Sequence, residues 1–220
     1  MSVQKIITYD IPTILPTDTG DTALRLMEDN NIEQIPVVAE EQYLALVKLE
    51  DMLEWATPEK PLTETDFLRY SPVVFAGGHT YEALRLAYNQ HLAVIPVTDD
   101  QNKYLGCATL ETIMNFLAEH CGLDNPGGVI VLELNPLDYS LVQVARICES
   151  EDITILTSNL YTNRATNKLE LTLKTNRSNL DLLAATYERF GYTVKEIYGE
   201  RVNRDDMMDR YNLLMAYLNM

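Results

Sequence analysis

Ala23-Leu-Arg-Leu-Met-Glu-Asp-Asn-Asn-Ile-Glu-Gln-Ile-Pro-Val37, laid over Ala83-Leu-Arg-Leu-Ala-Tyr-Asn-Gln-His-Leu-Ala-Val-Ile-Pro-Val97, is identical at seven of fifteen positions with no gap. The identities fall at the two ends, Ala-Leu-Arg-Leu and Ile-Pro-Val, and Ile32/Leu92 and Asn30/Gln90 are close substitutions between them. Upstream, Pro12 aligns with Pro72 at the same offset of 60. Downstream, Tyr43-Leu44 aligns with Tyr104-Leu105 after one inserted residue. Self-similarity at a fixed offset marks a repeated structural unit, so the first 120 residues read as two copies of one unit.

Each copy reads strand, helix, strand, strand, helix. Thr19 and His79 start segments whose apolar residues Ala23, Leu26, Met27 and Ala83, Leu86, Ala87 recur at helical spacing. Arg25 and Arg85 repeat beside that stripe and read as a solvated helix face. Ile35-Pro-Val-Val38 and Ile95-Pro-Val-Thr98 have the pattern of buried strands, with the Pro expected at the strand start because it cannot donate to a ladder. Polar hairpins at Ala39–Gln42 and Asp99–Lys103 lead into Tyr43–Val47 and Tyr104–Ala108. A helix then runs through Met52, Leu53 and Trp55, or through Ile113, Met114 and Leu117.

A helix, an Ile-Pro-Val strand, an acidic hairpin and a closing strand-to-helix step, given twice, resemble the cystathionine-β-synthase (CBS) domain pair. The resemblance implies a pseudo-twofold disc of two repeats, 1–60 and 61–122, whose clefts hold adenosine-type ligands such as AMP, ATP or S-adenosylmethionine. It places Ile35, Pro36 and Val37, and Ile95, Pro96 and Val97, on the base pockets. It further implies a closing Thr near the phosphate and, three residues on, an Asp on the ribose hydroxyls. The first copy reads Lys48-Leu-Glu-Asp51, keeping the acid and replacing the Thr; the second reads Thr109-Leu-Glu-Thr112, keeping the Thr and losing the acid. A carboxylate accepts from two vicinal hydroxyls, and an ammonium suits a phosphate, so Lys48 and Asp51 make the first cleft the better nucleotide candidate. Their alternative reading is a solvated charge at a strand end and a favourable acid in the first turn of a helix.

Cys121-Gly-Leu-Asp-Asn-Pro-Gly-Gly128 is a turn-rich break, after which the pattern changes. Val129–Leu134 reads as a strand; a helix with Leu141, Val144, Ile147 and Cys148 on one face follows; then come strands at Ile153–Leu156 and Leu169–Leu173 around a polar turn at Thr162–Asn167. Ser178 or Asn179 can cap a helix carrying Leu182, Leu183, Ala185, Thr186 and Tyr187, which Gly191 ends, and Thr193–Ile197 closes the set. The order βαββαβ is the ferredoxin-like plan. Residues 128–200 resemble an ACT domain, a module that senses amino acids, except that Tyr139 stands where amino-acid-binding members have a Gly in the loop before the first helix. The combined layout, an α+β chain with a CBS pair and an ACT-like domain, is similar to CBS–ACT regulators of the acetoin-utilisation type. Residues 201–220 add Met207, Tyr211, Leu214 and Leu218 at amphipathic helical spacing, to dock either on the chain's own sheet or on a partner subunit.

The chain has 220 residues, with 17 Lys and Arg against 33 Asp and Glu, a formal charge of −16. Residues 1–120 hold 7 basic and 19 acidic residues, so −12 of that charge lies on the repeats. Such a balance repels polyanions, excluding nucleic-acid and anionic-membrane partners. Three cysteines without a paired spacing indicate neither a disulfide framework nor a zinc site. With no long apolar run, a soluble cytoplasmic protein is expected. His79, His91 and His120 stand in separate contexts, and no nucleophile, zincin or phosphate-loop motif occurs, so no catalytic or metal residue and no cofactor is expected. Two functions remain: a metabolite-sensing regulator that forms a homodimer or larger assembly and acts on an unidentified protein, or a ligand-free scaffold with degenerate clefts.

Overall fold

Thr19 and His79 each begin a helix by accepting a backbone N–H, a side-chain cap for donors the helix cannot satisfy. Thr19 Oγ1 accepts from the Thr22 amide at 3.2 Å, and His79 Nδ1 accepts from the Tyr81 amide at 3.2 Å. The computed structural model describes residues 2–199, which divide into two compact units at Leu117/Ala118. The turn-rich stretch 121–128 therefore follows the division by a few residues rather than coinciding with it. The expected helix at 201–220 lies outside the described residues.

In the first unit the repeats carry α1 (Gly20–Asp29), β1 (Gln34–Ala39), β2 (Gln42–Lys48) and α2 (Leu49–Glu54), then β3 (Val74–Phe75), α3 (Thr80–Gln90), β4 (Val94–Thr98), β5 (Tyr104–Thr109) and α4 (Leu110–His120). The leading strand of the second copy is β3, parallel to β4; in the first copy it shrinks to a single parallel bridge between Ile14 and Val37. Ala23 and Met27 on α1 and Ala83 and Ala87 on α3 are buried at equivalent places, and Arg25 and Arg85 are exposed. Asn31 and His91, also equivalent, take left-handed backbone (φ 52° and 54°) where each helix turns into its strand.

The prolines sit third in β1 and β4, not at the strand start. Pro36 keeps its place because its carbonyl accepts from Ile14 N–H at 3.0 Å on the edge side, so the missing donor faces the edge where pairing has just begun. Each repeat's leading segment lies along the other's strand: Thr8 pairs with Cys107 on β5, and Leu46 on β2 donates to Tyr70 O at 2.8 Å. Gly106 permits the first of these. Its φ is 129°, and a Cβ there would stand 2.6 Å from Ile7 Cγ2 and 2.9 Å from Thr8 O. The hairpin tips also meet, with Lys103 Nζ 2.9 Å from Glu41 Oε2 and Asn102 Nδ2 donating to Tyr43 O at 2.9 Å.

The second unit holds β6 (Val129–Leu134), α5 (Leu141–Ser150), β7 (Ile155–Asn163), β8 (Lys168–Thr175), α6 (Asp181–Arg189) and β9 (Thr193–Tyr198), with an antiparallel sheet in the order β7-β8-β6-β9. Alternate residues of β8, Leu169, Leu171, Leu173 and Thr175, are buried; the Leu side chains pack in the core with Ile130, Leu132, Val144, Ile147, Leu183 and Tyr187. Tyr187 is fully buried with its hydroxyl donating to Val144 O at 3.0 Å. β7 begins at Ile155, not Ile153, and extends to Asn163, so the turn narrows to 164–167. Leu141 and Leu182 lie on the exposed side of their helices, as do Leu53 on α2 and Met114 on α4. Ala184 rather than Ala185 faces the core. Neither Ser178 nor Asn179 is the cap residue of α6, but Asn179 Oδ1 accepts the Asp181 amide one position upstream at 3.1 Å.

Candidate functional site

The closing step of each repeat opens a cleft in the first unit. A cavity of about 430 Å³ is lined by Glu33, Gln34, Lys48, Leu49, Glu50, Leu53, Gln90 and His91. A larger one, about 900 Å³, contains Asn31, Ala93, Val94, Thr109, Leu110 and Glu111, which are the repeat counterparts of His91, Glu33, Gln34, Lys48, Leu49 and Glu50. The two clefts are thus one site given twice. The larger adds Ile11, Leu24, Met27, Glu28 and Ile32 and shares Glu33, Leu49 and Leu53 with its neighbour.

The expected site residues separate into two groups. Lys48 and Thr109, equivalent in the repeat, each line a cleft. Ile35, Val37, Ile95 and Val97 are fully buried and Pro36 and Pro96 are buried with them, forming the core behind the clefts and lining neither. Asp51 is half-buried in the first turn of α2 and also lines neither cavity.

Lys48 Nζ lies 3.3 Å from Glu50 Oε1 and 5.0 Å from the Tyr70 ring centroid, so the ammonium is held by a carboxylate and an aromatic face. Thr109 and Thr112 bond reciprocally, Thr109 Oγ1 accepting the Thr112 amide at 3.2 Å and Thr112 Oγ1 accepting the Thr109 amide at 2.9 Å. This closes the start of α4 as a capping pair. The position of Asp51 in the first repeat is that of Thr112 in the second.

Gln34 was not singled out by the sequence, although a polar residue opening an apolar strand was the available signal. It is buried, and its Oε1 accepts from the amides of Ala93 at 2.9 Å and Val94 at 3.0 Å while Nε2 donates to His91 O at 3.3 Å. The acidic lining, Glu28, Glu33 and Glu111, was missed for another reason: these residues come from α1, the β1 approach and α4, and converge only in three dimensions.

The second unit has its own cavity of about 440 Å³ at the β6–α5 loop, which includes Asn135, Asp138, Tyr139, Ser140 and Tyr192. Tyr139 fills part of this region, packing its ring on the core. Among the described residues, no group of three or more His, Cys, Asp or Glu stands close enough to hold a metal ion, and no helix is long and apolar enough to cross a membrane.

Residues 3–57 match the CBS domain family. Over 112 residues, half of the chain, the sequence is 28% identical to inosine-5'-monophosphate dehydrogenase of Methanocaldococcus jannaschii, of which it spans 22%. Among solved structures, a CBS domain pair/ACT domain protein of Thermotoga maritima aligns over 54% of this chain and 98% of its own, with 21% identity and a TM-score of 0.48. CBSX2 in complex with AMP aligns over 54% and 96%, with 21% identity and a TM-score of 0.47. A candidate acetoin utilization protein, AcuB, of Vibrio cholerae aligns over 56% and 95%, with 21% identity and a TM-score of 0.47.

Proposed function

We propose that the chain is a non-catalytic regulatory protein whose first unit senses an adenine nucleotide or a related adenosyl ligand in the two clefts. The single observation that supports this reading most is the placement of Lys48 and Thr109, equivalent closing residues, on two open cavities related by the repeat. The match of residues 3–57 to the CBS domain supports this ligand class, adenosine-type compounds being what the resemblance to CBS pairs implies. The buried Ile-Pro-Val strands then act as the rigid wall behind each cleft, and Asp51 acts from the α2 turn.

In this reading the second unit is an ACT-like domain on the ferredoxin-like plan, of the acetoin-utilisation type, which passes the state of the clefts to a regulated protein. Self-association uses its sheet: β7 is a nine-residue edge strand with Leu160 and Tyr161 exposed, and edge strands readily pair with another chain. Regulation requires that the ligand bind two arrangements of the clefts with different affinity.

One observation favours the second reading, a ligand-free scaffold. The Thr109–Thr112 cap and the Lys48–Glu50 pair already engage the closing residues locally. Calorimetric titration with adenosine, AMP, ADP, ATP, S-adenosylmethionine and amino acids separates the two. Leu53 lines both clefts and is 68% exposed, so Leu53→Asp alters the site with little cost to the core. The sensing reading expects an adenosyl compound to bind the wild type and to weaken markedly in Leu53→Asp. The scaffold reading expects no binding.

A further inference from the structure

The two clefts differ in charge although the repeat makes them equivalent in place. Among the described residues the smaller holds the one ammonium, Lys48. The larger is walled by Ile11, Leu24, Met27, Ile32, Leu110 and further apolar side chains, and among the described residues its charged lining is Glu28, Glu33 and Glu111, with no Lys or Arg. None of these three carboxylates has an ion-pair partner among the described residues. Where Lys48 stands in one cleft, Thr109 stands in the other, its hydroxyl accepting the Thr112 amide. A phosphate in the larger cleft would meet three like charges and, among the described residues, no cation.

We propose that the larger cleft excludes phosphorylated nucleotides and takes a ligand with an apolar or aromatic body and a positive charge, such as an adenosyl compound bearing a sulfonium or ammonium. This deepens the sensing reading and rests on it. The apolar walls bury the body, and the carboxylates attract the cation at the rim. At roughly 8–10 Å in a solvent-exposed cleft each carboxylate changes the affinity of a singly charged ligand by about threefold, and salt reduces the effect. The difference between a cation and a phosphate accumulates over the three.

The test compares S-adenosylmethionine, adenosine and AMP by calorimetry on the full chain, in wild type and in Glu28→Gln/Glu111→Gln, at about 50 and about 300 mM salt. Glu28 and Glu111 are exposed and line the larger cleft alone, so the variant keeps its core and leaves the smaller cleft unchanged. Lys48→Glu in both proteins removes the ammonium of the smaller cleft so that AMP is read at the larger one, and in that background S-adenosylmethionine is expected to bind at least tenfold more tightly than AMP. The ratio should fall by about tenfold or more in the variant, and should also fall at the higher salt. In that background, AMP binding as tightly as S-adenosylmethionine, or a ratio unmoved by the double substitution, overturns the charge selection and leaves the sensing reading standing. If none of the three compounds binds, both fall together.

Discussion

Gln34 and Val94 occupy the same place in the two repeats, and the buried carboxamide of the first accepts the backbone N–H of the second at 3.0 Å, with the Ala93 amide at 2.9 Å on the same oxygen. One position thus plays two parts: a polar clamp in the first copy and an apolar strand residue in the second. Gln34→Leu removes the acceptor from both amides at once. Leaving a buried donor unpaired costs about 1–3 kcal/mol, and the part-buried Ala93 amide costs less than the buried Val94 amide, so a loss of about 2–4 kcal/mol is expected in urea unfolding. A loss below about 0.5 kcal/mol would show that water replaces the side chain without penalty.

Cys107 is fully buried beside the Tyr104 hydroxyl at 3.2 Å, and burial pushes its thiol up to about 12. Cys148 is buried as well and is raised by the same cause, whereas Cys121 is half-exposed. The thiolate is the reactive form, so at about pH 8 native protein should take iodoacetamide at Cys121 alone. All three should react in urea. Mass spectrometry reads the sites directly, and labelling of native Cys107 as fast as Cys121 would contradict this packing.

On the sheet of the second unit, Lys195 Nζ lies 2.6 Å from Glu170 Oε1, and the bond from Lys195, with that from Asn163, holds the Glu170 carboxyl below its ordinary 4.5. The bond to Glu170 in turn raises Lys195 above 10.5. A depressed acid contributes stability above its unfolded value that is lost as pH falls through the folded one. A raised base contributes stability below its unfolded value that is lost as pH rises through the folded one. The pair therefore supports the fold fully from about pH 5 to about pH 10. Urea unfolding of Lys195→Met should show a smaller drop in stability on acidification below about pH 4.5 than wild type. Equal acid sensitivity would remove the pair from the account.

These side-chain relationships differ in how far the sequence reveals them. The repeat, both helix caps and the element order of the second unit follow from local pattern, because Thr19, His79, the Ile-Pro-Val strands and Gly191 act on their own neighbours. Facing is harder to read: Leu141, Leu182 and Leu53 belong to apolar stripes on paper yet are exposed, because periodicity counts apolar residues without knowing what covers them. The clefts were only half legible. Lys48 and Thr109 come from the closing motif that the resemblance to the CBS pair implies, but Glu28, Leu24 and Ile11 reach the larger cavity from a different copy than Leu110 and Glu111, and no single stretch encodes that meeting.

Self-association through the sheet of the second unit predicts at least a dimer by light scattering of the full chain at micromolar concentration. Replacing the exposed Leu160 and Tyr161 by Lys should shift it toward monomer, since charged residues on an edge oppose pairing. A monomeric wild type would reject this part of the proposal.

On the sensing proposal an adenosyl ligand occupies the clefts of the first unit. Methyl-resolved NMR of the full chain titrated with S-adenosylmethionine and with AMP tests it most directly. Saturable shifts should be largest at Leu24, Leu49, Leu53, Leu110 and Ile11, which line the clefts, and smaller at Ile35, Val37, Ile95 and Val97 behind them. No saturable shifts with either compound, or shifts confined to the methyls of the second unit, would contradict it.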